Sequence, residues 1–448
     1  MLISVNEVRP WVFVYAMRFR DMVLLRLGFI CWIHESEKWE NKMNKMLIGG
    51  IAVVVIAGFA YLATQKESAD KMMDGGSVKV GILLGFTGPI ESLTPDMAAG
   101  AELAMAEVSK SGKFMGGTTV EPVRGDSTCV DAAAATATAE RLITSDKVVG
   151  IMGADCSGVT TAVLQNVATA KGVVMISPSA TSPALSTIED NGLFFRTSPS
   201  DARQGHVLAE ILKEKGVMSA AISYTNNDYG KGLADSIQNN FEAVGGKVTI
   251  SASHEDGKGD YSAEAAALGQ AGGDVLIVAG YLDQGGKGII QASLDSGAFK
   301  TFVLPDGMIG DSLPKAIGSD LNGSYGTLPA AQGNGAATFE KMAGEAGFKS
   351  GPYAPQSYDA AALMILAMQA SGSTDSTVFK AKIMDVANAP GEKINPGELG
   401  KALEILSAGG DVDYVGASDV ELIGSGESAG SFQEVLIKNE TITPVQFR

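Results

Sequence analysis

Hydroxyls and carboxylates beside glycines are the groups in this chain best suited to meet a small ligand. Gly153-Ala-Asp-Cys156-Ser157-Gly158 follows a short apolar run and opens a helical segment. Ser157 there offers a hydroxyl next to free backbone amides at a positive helix end, a seat for an anion. Pro178-Ser179-Ala180-Thr181-Ser182-Pro183 is a second such cluster. Together, on neighbouring strand ends, the two would hold one carboxylate; each is equally an ordinary helix cap. Pro305-Asp306-Gly307 sets a carboxylate on a turn, where aspartate also serves turn geometry alone. Tyr229 and Tyr281 follow apolar runs in the same half of the chain, as ligand contacts or as packing.

Covalent, metal and phosphate chemistry find less support. Gly426-Glu-Ser428-Ala-Gly430 matches the pattern of a nucleophile elbow, but it is a polar loop with no histidine after it. The histidines are His34, His206 and His254, too scattered for a triad or a zinc site. No G-x-x-x-x-G-K-[ST] loop is present, so the phosphate-binding loop of an ATPase is not read in this chain. With 34 Lys/Arg against 51 Asp/Glu, a net charge of −17 repels phosphate backbones and disfavours nucleic acid. The expectation is a non-enzymatic protein without cofactor or metal.

The elements that must position these residues alternate. Val78–Leu84, Thr118–Arg124, Val148–Met152 and Val173–Ser177 read as strands, with helices at Thr94–Ser111, Asp131–Ser145 and Gly158–Lys171. Thr94-Pro95-Asp96 carries the cap, proline and acid of a helix start. After Arg196 the rhythm repeats through strands Ser219–Tyr224, Lys247–Ser253, Asp274–Ala279 and Thr301–Leu304. Strands separated by helices imply parallel sheets covered on both faces, and this many strands imply two similar α/β lobes. In such sheets ligands sit beyond the carboxyl ends of strands, where the candidate residues fall.

The first 76 residues differ from the rest. All three tryptophans lie there, and an apolar run, Leu47–Ala63, follows Lys42 and Lys45. That pattern predicts an export signal, or an inner-membrane tether through residues 47–63. Residues 1–42 read as an extra extension ahead of a start at Met43 or Met46, and 43–77 as signal or anchor plus linker. Beyond them only Cys129 and Cys156 remain, an even pair that suggests a disulfide in an exported chain.

From Val78 to the C-terminus the chain resembles the type I periplasmic solute-binding proteins of ABC importers, of the leucine/isoleucine/valine-binding kind. The resemblance rests on Val80-Gly-Ile-Leu-Leu-Gly-Phe-Thr-Gly-Pro89, Cys156-Ser157, Ile176-Ser-Pro-Ser-Ala-Thr-Ser-Pro183, Phe195-Arg196-Thr197, Asp228-Tyr-Gly-Lys-Gly-Leu-Ala234 and Tyr358-Asp-Ala-Ala, in register. It implies a two-lobed α/β fold, each lobe a mostly parallel sheet flanked by helices, joined by a three-strand hinge crossed near Ser198, Thr327 and Asp413. The expected division is 78–198 with 328–412 as one lobe and 199–327 with 413–448 as the other. It implies that Ser157, Ser179 and Thr181 hold an amino acid's carboxylate, with Ala180 among the ligand-binding residues, that Tyr229 and Asp306 meet its ammonium, and that Tyr281 lines the same cleft. Cys129 and Cys156 correspond to cysteines the family joins.

One position departs from the family: Glu91-Ser92-Leu93 stands where branched-chain binders place a tyrosine. Leu93 would make that wall aliphatic, while Glu91 would bring charge to the side-chain pocket or lie in solvent. The implied role is a monomeric periplasmic protein delivering an amino acid to an ABC permease. An amide- or urea-type binder and a ligand-sensing receptor module are the alternatives.

Overall fold

The computed structural model describes residues 76–448. The expected extension, the apolar run Leu47–Ala63 and Cys31 lie outside the described residues. No helix among the described residues is long and apolar enough to cross a membrane.

The first lobe is built from β1 (Ser77–Leu84), α1 (Thr94–Ser111), β2 (Thr119–Asp126), α2 (Ala132–Thr144), β3 (Gly150–Gly153), α3 (Ser157–Val163), β4 (Val174–Ser177) and β5 (Phe194–Arg196). α3 runs on through a π turn at Leu164–Ala168 into Thr169–Lys171. β3, β4 and β5 are buried throughout, as parallel strands covered on both faces must be. Local chemistry sets the helix ends: Asp131 caps α2 by accepting from the amides of Ala133 and Ala134, and α1 stops at Gly112 in the left-handed region.

The second lobe repeats the plan. α4 (Asp201–Glu214), β6 (Ser219–Thr225), α5 (Asp228–Ala243), β7 (Lys247–His254), α6 (Ser262–Ala271), β8 (Val275–Ala279), α7 (Gly285–Asp295), β9 (Phe302–Leu304), α8 (Ser312–Ile317) and β10 (Tyr325–Pro329) follow in order. The first five strands of each lobe are parallel, ordered β2-β1-β3-β4-β5 in the first sheet and β7-β6-β8-β9-β10 in the second. The two orders are the same. In each, the chain reverses its direction of winding between the first and third strands, which opens a crevice at the strands' carboxyl ends.

The chain then returns to the first lobe through α9 (Asn334–Ala346), α10 (Ala354–Ser371), α11 (Ser376–Phe379), α12 (Ile383–Ala387), β11 (Glu392–Ile394), α13 (Leu399–Ser407) and β12 (Val412–Tyr414). α10 is buried along nearly its whole length and packs on α1. A side chain at Gly100 of α1 would place its Cβ 2.4 Å from the carbonyl of Ala354, so glycine is what lets the start of α10 come so close.

The last passage between the lobes falls later than expected. β13 (Leu422–Ile423) and β14 (Glu427–Ser428) extend the first sheet beside β5, and the chain enters the second sheet only at β15 (Phe432–Lys438) and β16 (Thr441–Phe447). Residues 413–428 therefore belong with the first lobe, and the passage lies between Ser428 and Phe432 rather than at Asp413. Asp359 of α10 decides this. It accepts from the Tyr414 hydroxyl, the amides of Ala417 and Ser418, and the Ser418 hydroxyl, so the polar stretch that reads as a hinge is tied to the first lobe.

Candidate functional site

The loops that leave β1, β3 and β4 face those that leave β6, β8 and β9 across the crevice. The lobes close there on a cavity of about 20 Å³, lined by Ile90, Leu93, Asp155, Cys156, Ser157 and Ser179 from one side and Tyr229, Tyr281, Asp306 and Gly307 from the other, with Tyr353 between. That is room for about one water, so a larger ligand enters only as the lobes part. An open groove of about 1190 Å³ lies outside, and Leu93 and Tyr353 line both spaces.

Asp306 is the charged centre of the second lobe. It follows β9 and is 2% exposed. The Tyr229 hydroxyl donates to its Oδ1 at 2.9 Å, and the Tyr353 hydroxyl donates to its Oδ2. Burial pushes its carboxyl above the usual range, and the two tyrosine hydroxyls oppose that shift. Tyr229 in turn accepts from the Gly307 amide at 3.1 Å and stacks on Tyr281, ring centres 5.1 Å apart. A Cβ at residue 307 would sit 2.6 Å from both the Tyr229 hydroxyl and the Gly280 carbonyl, so the Asp-Gly pair is needed for the site's shape as well as for its turn. The Tyr281 hydroxyl is buried without a hydrogen-bond partner among the described residues.

On the first lobe, Ser157 and Ser179 reach the cavity. Ser157 Oγ accepts from the Ser182 amide at 3.1 Å and keeps its own proton free to donate. The first amide bonded back within α3 is that of Thr160, to the Cys156 carbonyl, which leaves the preceding amides open at the helix start. Ser179 Oγ donates to the Asp155 carbonyl at 2.9 Å. Ala180 and Thr181 stand behind the cavity wall and do not line it. The Ala180 amide donates to Ser177 Oγ at 2.9 Å, and Thr181 Oγ1 is buried without a partner among the described residues. The strand-end pattern located this cluster, but with the amides of Ser179 and Ala180 held by Ser177 Oγ, only Ser179 of the cluster lines the cavity.

Leu93 is buried at the cavity edge, whereas Glu91 is exposed and accepts from the Gly88 amide at 3.4 Å. This edge of the cavity is thus aliphatic, from Ile90 and Leu93, without the Glu91 charge.

Two cavity-lining residues, Asp155 and Tyr353, are not singled out by the strand-end pattern. Asp155 accepts from the Gly85 amide at 2.5 Å and the Ser127 hydroxyl at 2.7 Å, so one buried carboxylate ties together the ends of β1, β2 and β3. The Cys129–Cys156 disulfide adds a covalent tie between the loops after β2 and β3. Tyr353, just before α10 and at φ 64°, comes from a segment whose signal was a helix start with Pro355 in its first turn. That signal marks the helix; it does not mark the tyrosine.

Comparisons with known proteins agree with this geometry. The family model described as periplasmic binding protein matches residues 77–392. Leu/Ile/Val-binding protein homolog 1 of Brucella suis biovar 1 (strain 1330) is 29% identical over 338 residues, 74% of this chain and 86% of that protein. A leucine-binding protein of Thermotoga maritima MSB8 superposes with a TM-score of 0.70 at 22% identity, over 83% of this chain and 98% of that one. An ABC-transporter solute-binding protein of R. palustris in complex with 4-hydroxybenzoate gives 0.66 at 20% identity, over 83% and 97%. With its twice-repeated sheet order, its cleft at the strand ends and a family match over most of its described length, the chain belongs to the type I periplasmic binding proteins, in the Leu/Ile/Val-binding-protein-like family.

Proposed function

We propose that this protein captures an amino acid with a branched-chain or other apolar side chain between its lobes and delivers it to an ABC permease. The observation that carries the reading is Asp306, a buried carboxylate held by two tyrosine hydroxyls, at a cavity whose lining has no lysine, arginine or histidine among the described residues. Such a cavity favours a cationic group and opposes a lone anion. A benzoate of the kind bound by the R. palustris protein would bring a second negative charge without an ammonium to offset it.

The ligand's carboxylate goes to the Ser157 hydroxyl and the open amides at the start of α3, its ammonium to Asp306, and its side chain to Ile90 and Leu93. Charge-assisted hydrogen bonds at both ends are the strong kind. The disulfide suits an oxidising compartment, and export through the run Leu47–Ala63 would bring a monomeric protein there. A thermal-shift screen of the purified protein against amino acids, small amides and 4-hydroxybenzoate tests the reading. A cognate amino acid at 100 times its dissociation constant should add about 2.7 kcal/mol of stability. A shift with amides or benzoate and none with amino acids would reject it.

A further inference from the structure

A second buried carboxylate acts on Asp306 without lining the cavity, and the proposed ligand contacts leave it unused. Asp201 opens α4 at the first passage between the lobes, and its amide donates to the Thr181 carbonyl at 2.9 Å. Its side chain is 1% exposed, and neither oxygen has a hydrogen-bond partner among the described residues. The charge on Asp306 is near enough to raise Asp201 further.

The other groups around it do not neutralise it. Arg196 on β5 is the nearby cation and favours the Asp201 charge from a distance, but its guanidinium is engaged by Glu427 of β14, by the carbonyls of Ala180 and Ser182, and by the Ser186 hydroxyl. Tyr229 in the first turn of α5, Tyr281 after β8 and Tyr353 before α10 stay neutral, because burial and the carboxylates raise them well above their usual range. The Thr181 hydroxyl favours the Asp201 charge but makes no hydrogen bond of ordinary geometry with it. One turn along α4, the Gln204 side chain donates to Thr327 Oγ1 at 3.1 Å and favours the Asp306 charge, while its Oε1 is one more buried acceptor without a partner among the described residues.

The cluster is therefore short of protons. It holds two carboxylates and an amide oxygen, and its one strong cation is engaged elsewhere. Two ionised carboxylates in a buried site repel each other; a single proton removes one charge and supplies a donor. Burial and the Asp306 charge push Asp201 well up against weaker opposition from Thr181 and Arg196, whereas the hydroxyls of Tyr353 and Tyr229, the Gly307 amide and the Gln204 side chain hold the charge on Asp306 against its burial.

We propose that Asp201 and Asp306 carry one proton between them in the unliganded cleft, and that the ligand's ammonium displaces it to solvent. Asp201 is then a positioning residue that does not touch the ligand but sets the pH range over which the site binds. The proposal rests on the amino-acid reading of the cleft.

Calorimetry with L-leucine at pH 7 in phosphate and in Tris, buffers of different ionisation heat, reads the protons released on binding. About one proton is expected for the parent and about none for Asp201→Asn. Affinity should rise about tenfold per pH unit while the proton is being displaced, and this slope should flatten in the variant. Equal heats in the two buffers for the parent overturn the proposal, and that comparison needs no variant to fold. If neither leucine nor any other amino acid binds, the amino-acid reading falls and the pair is decided on the unliganded protein. Infrared spectroscopy at pH 7 should then show a protonated carboxylic-acid band that Asp201→Asn removes; an unchanged spectrum overturns the shared proton.

Discussion

At the scale of single residues, Asp306 concentrates the chemistry of the cleft. Removing one partner of a buried charge pair costs about 2–5 kcal/mol, mostly because the other charge is left unpaired. Asp306→Ala should therefore weaken amino-acid binding by about 30-fold to several-thousand-fold in calorimetry. Asp306→Asn should lose less, since its oxygen still accepts from a tyrosine. Binding by Asp306→Ala as tight as the parent's would mean the ammonium sits elsewhere. His254 gives a prediction about stability. Burial holds it down to about 4, with its Nδ1 2.8 Å from the Ser223 hydroxyl. Between its ordinary value and that one, the unfolded chain takes a proton that the folded chain refuses. Its contribution is thus whole above about pH 6.5 and is lost as the pH falls toward 4. From pH 7 to pH 5 the parent should lose about 2 kcal/mol relative to His254→Gln in urea unfolding. Asp359, which burial raises to about 6, titrates in the opposite sense in both proteins and cancels in the difference.

At the scale of elements, the loop after β1 joins the lobes at the cleft mouth. Asp283 accepts from the Ser92 amide at 2.9 Å and from the Ser312 hydroxyl at 2.7 Å, and its own amide donates to the Pro89 carbonyl at 3.0 Å. None of these atoms lines the cavity, so the latch acts on closure and not on ligand choice. A hydrogen bond of this kind is worth about 0.5–1.5 kcal/mol. Asp283→Ala should speed ligand release about 2- to 12-fold in stopped-flow, with the order of preference among amino acids kept. A changed order would tie the loop to recognition. The Cys129–Cys156 disulfide works on the same wall from within. On the chain-entropy model, its separation of 27 residues is worth about 3–4 kcal/mol. The double Cys→Ala variant should unfold at correspondingly lower urea, and a midpoint equal to the parent's would refute that role.

At the scale of the whole molecule, the lobes are linked by three passages and bridged at the centre of the cleft by the Tyr353–Asp306 hydrogen bond. That bond joins the start of α10, on the first lobe, to the loop after β9, on the second. It is charge-assisted and buried, a class worth about 1.5–3 kcal/mol. Tyr353→Phe should shift unliganded protein toward an open form, read as a larger radius of gyration in small-angle scattering. An unchanged radius would assign closure to the Asp283 latch alone.

The sequence by itself determined the two lobes, because strand and helix periodicity are local and glycines mark the strand ends. It also determined which loops face the cleft, since parallel strands put all their carboxyl ends on one side; Ser157, Ser179, Tyr229, Tyr281 and Asp306 were legible for that reason. Only tertiary structure decided the rest. Tyr353 reaches Asp306 because α10 lies close on α1 at Gly100, an approach that no local pattern encodes. Thr181 turns away from the cavity because Ser177 holds the preceding amide, and residues 413–428 stay with the first lobe because Asp359 gathers their donors. Asp201 reads in sequence as a favourable acid in a helix's first turn. Only the packing of α4 makes it a buried charge without a partner, because burial, unlike helix propensity, is a property of residues far apart in the chain.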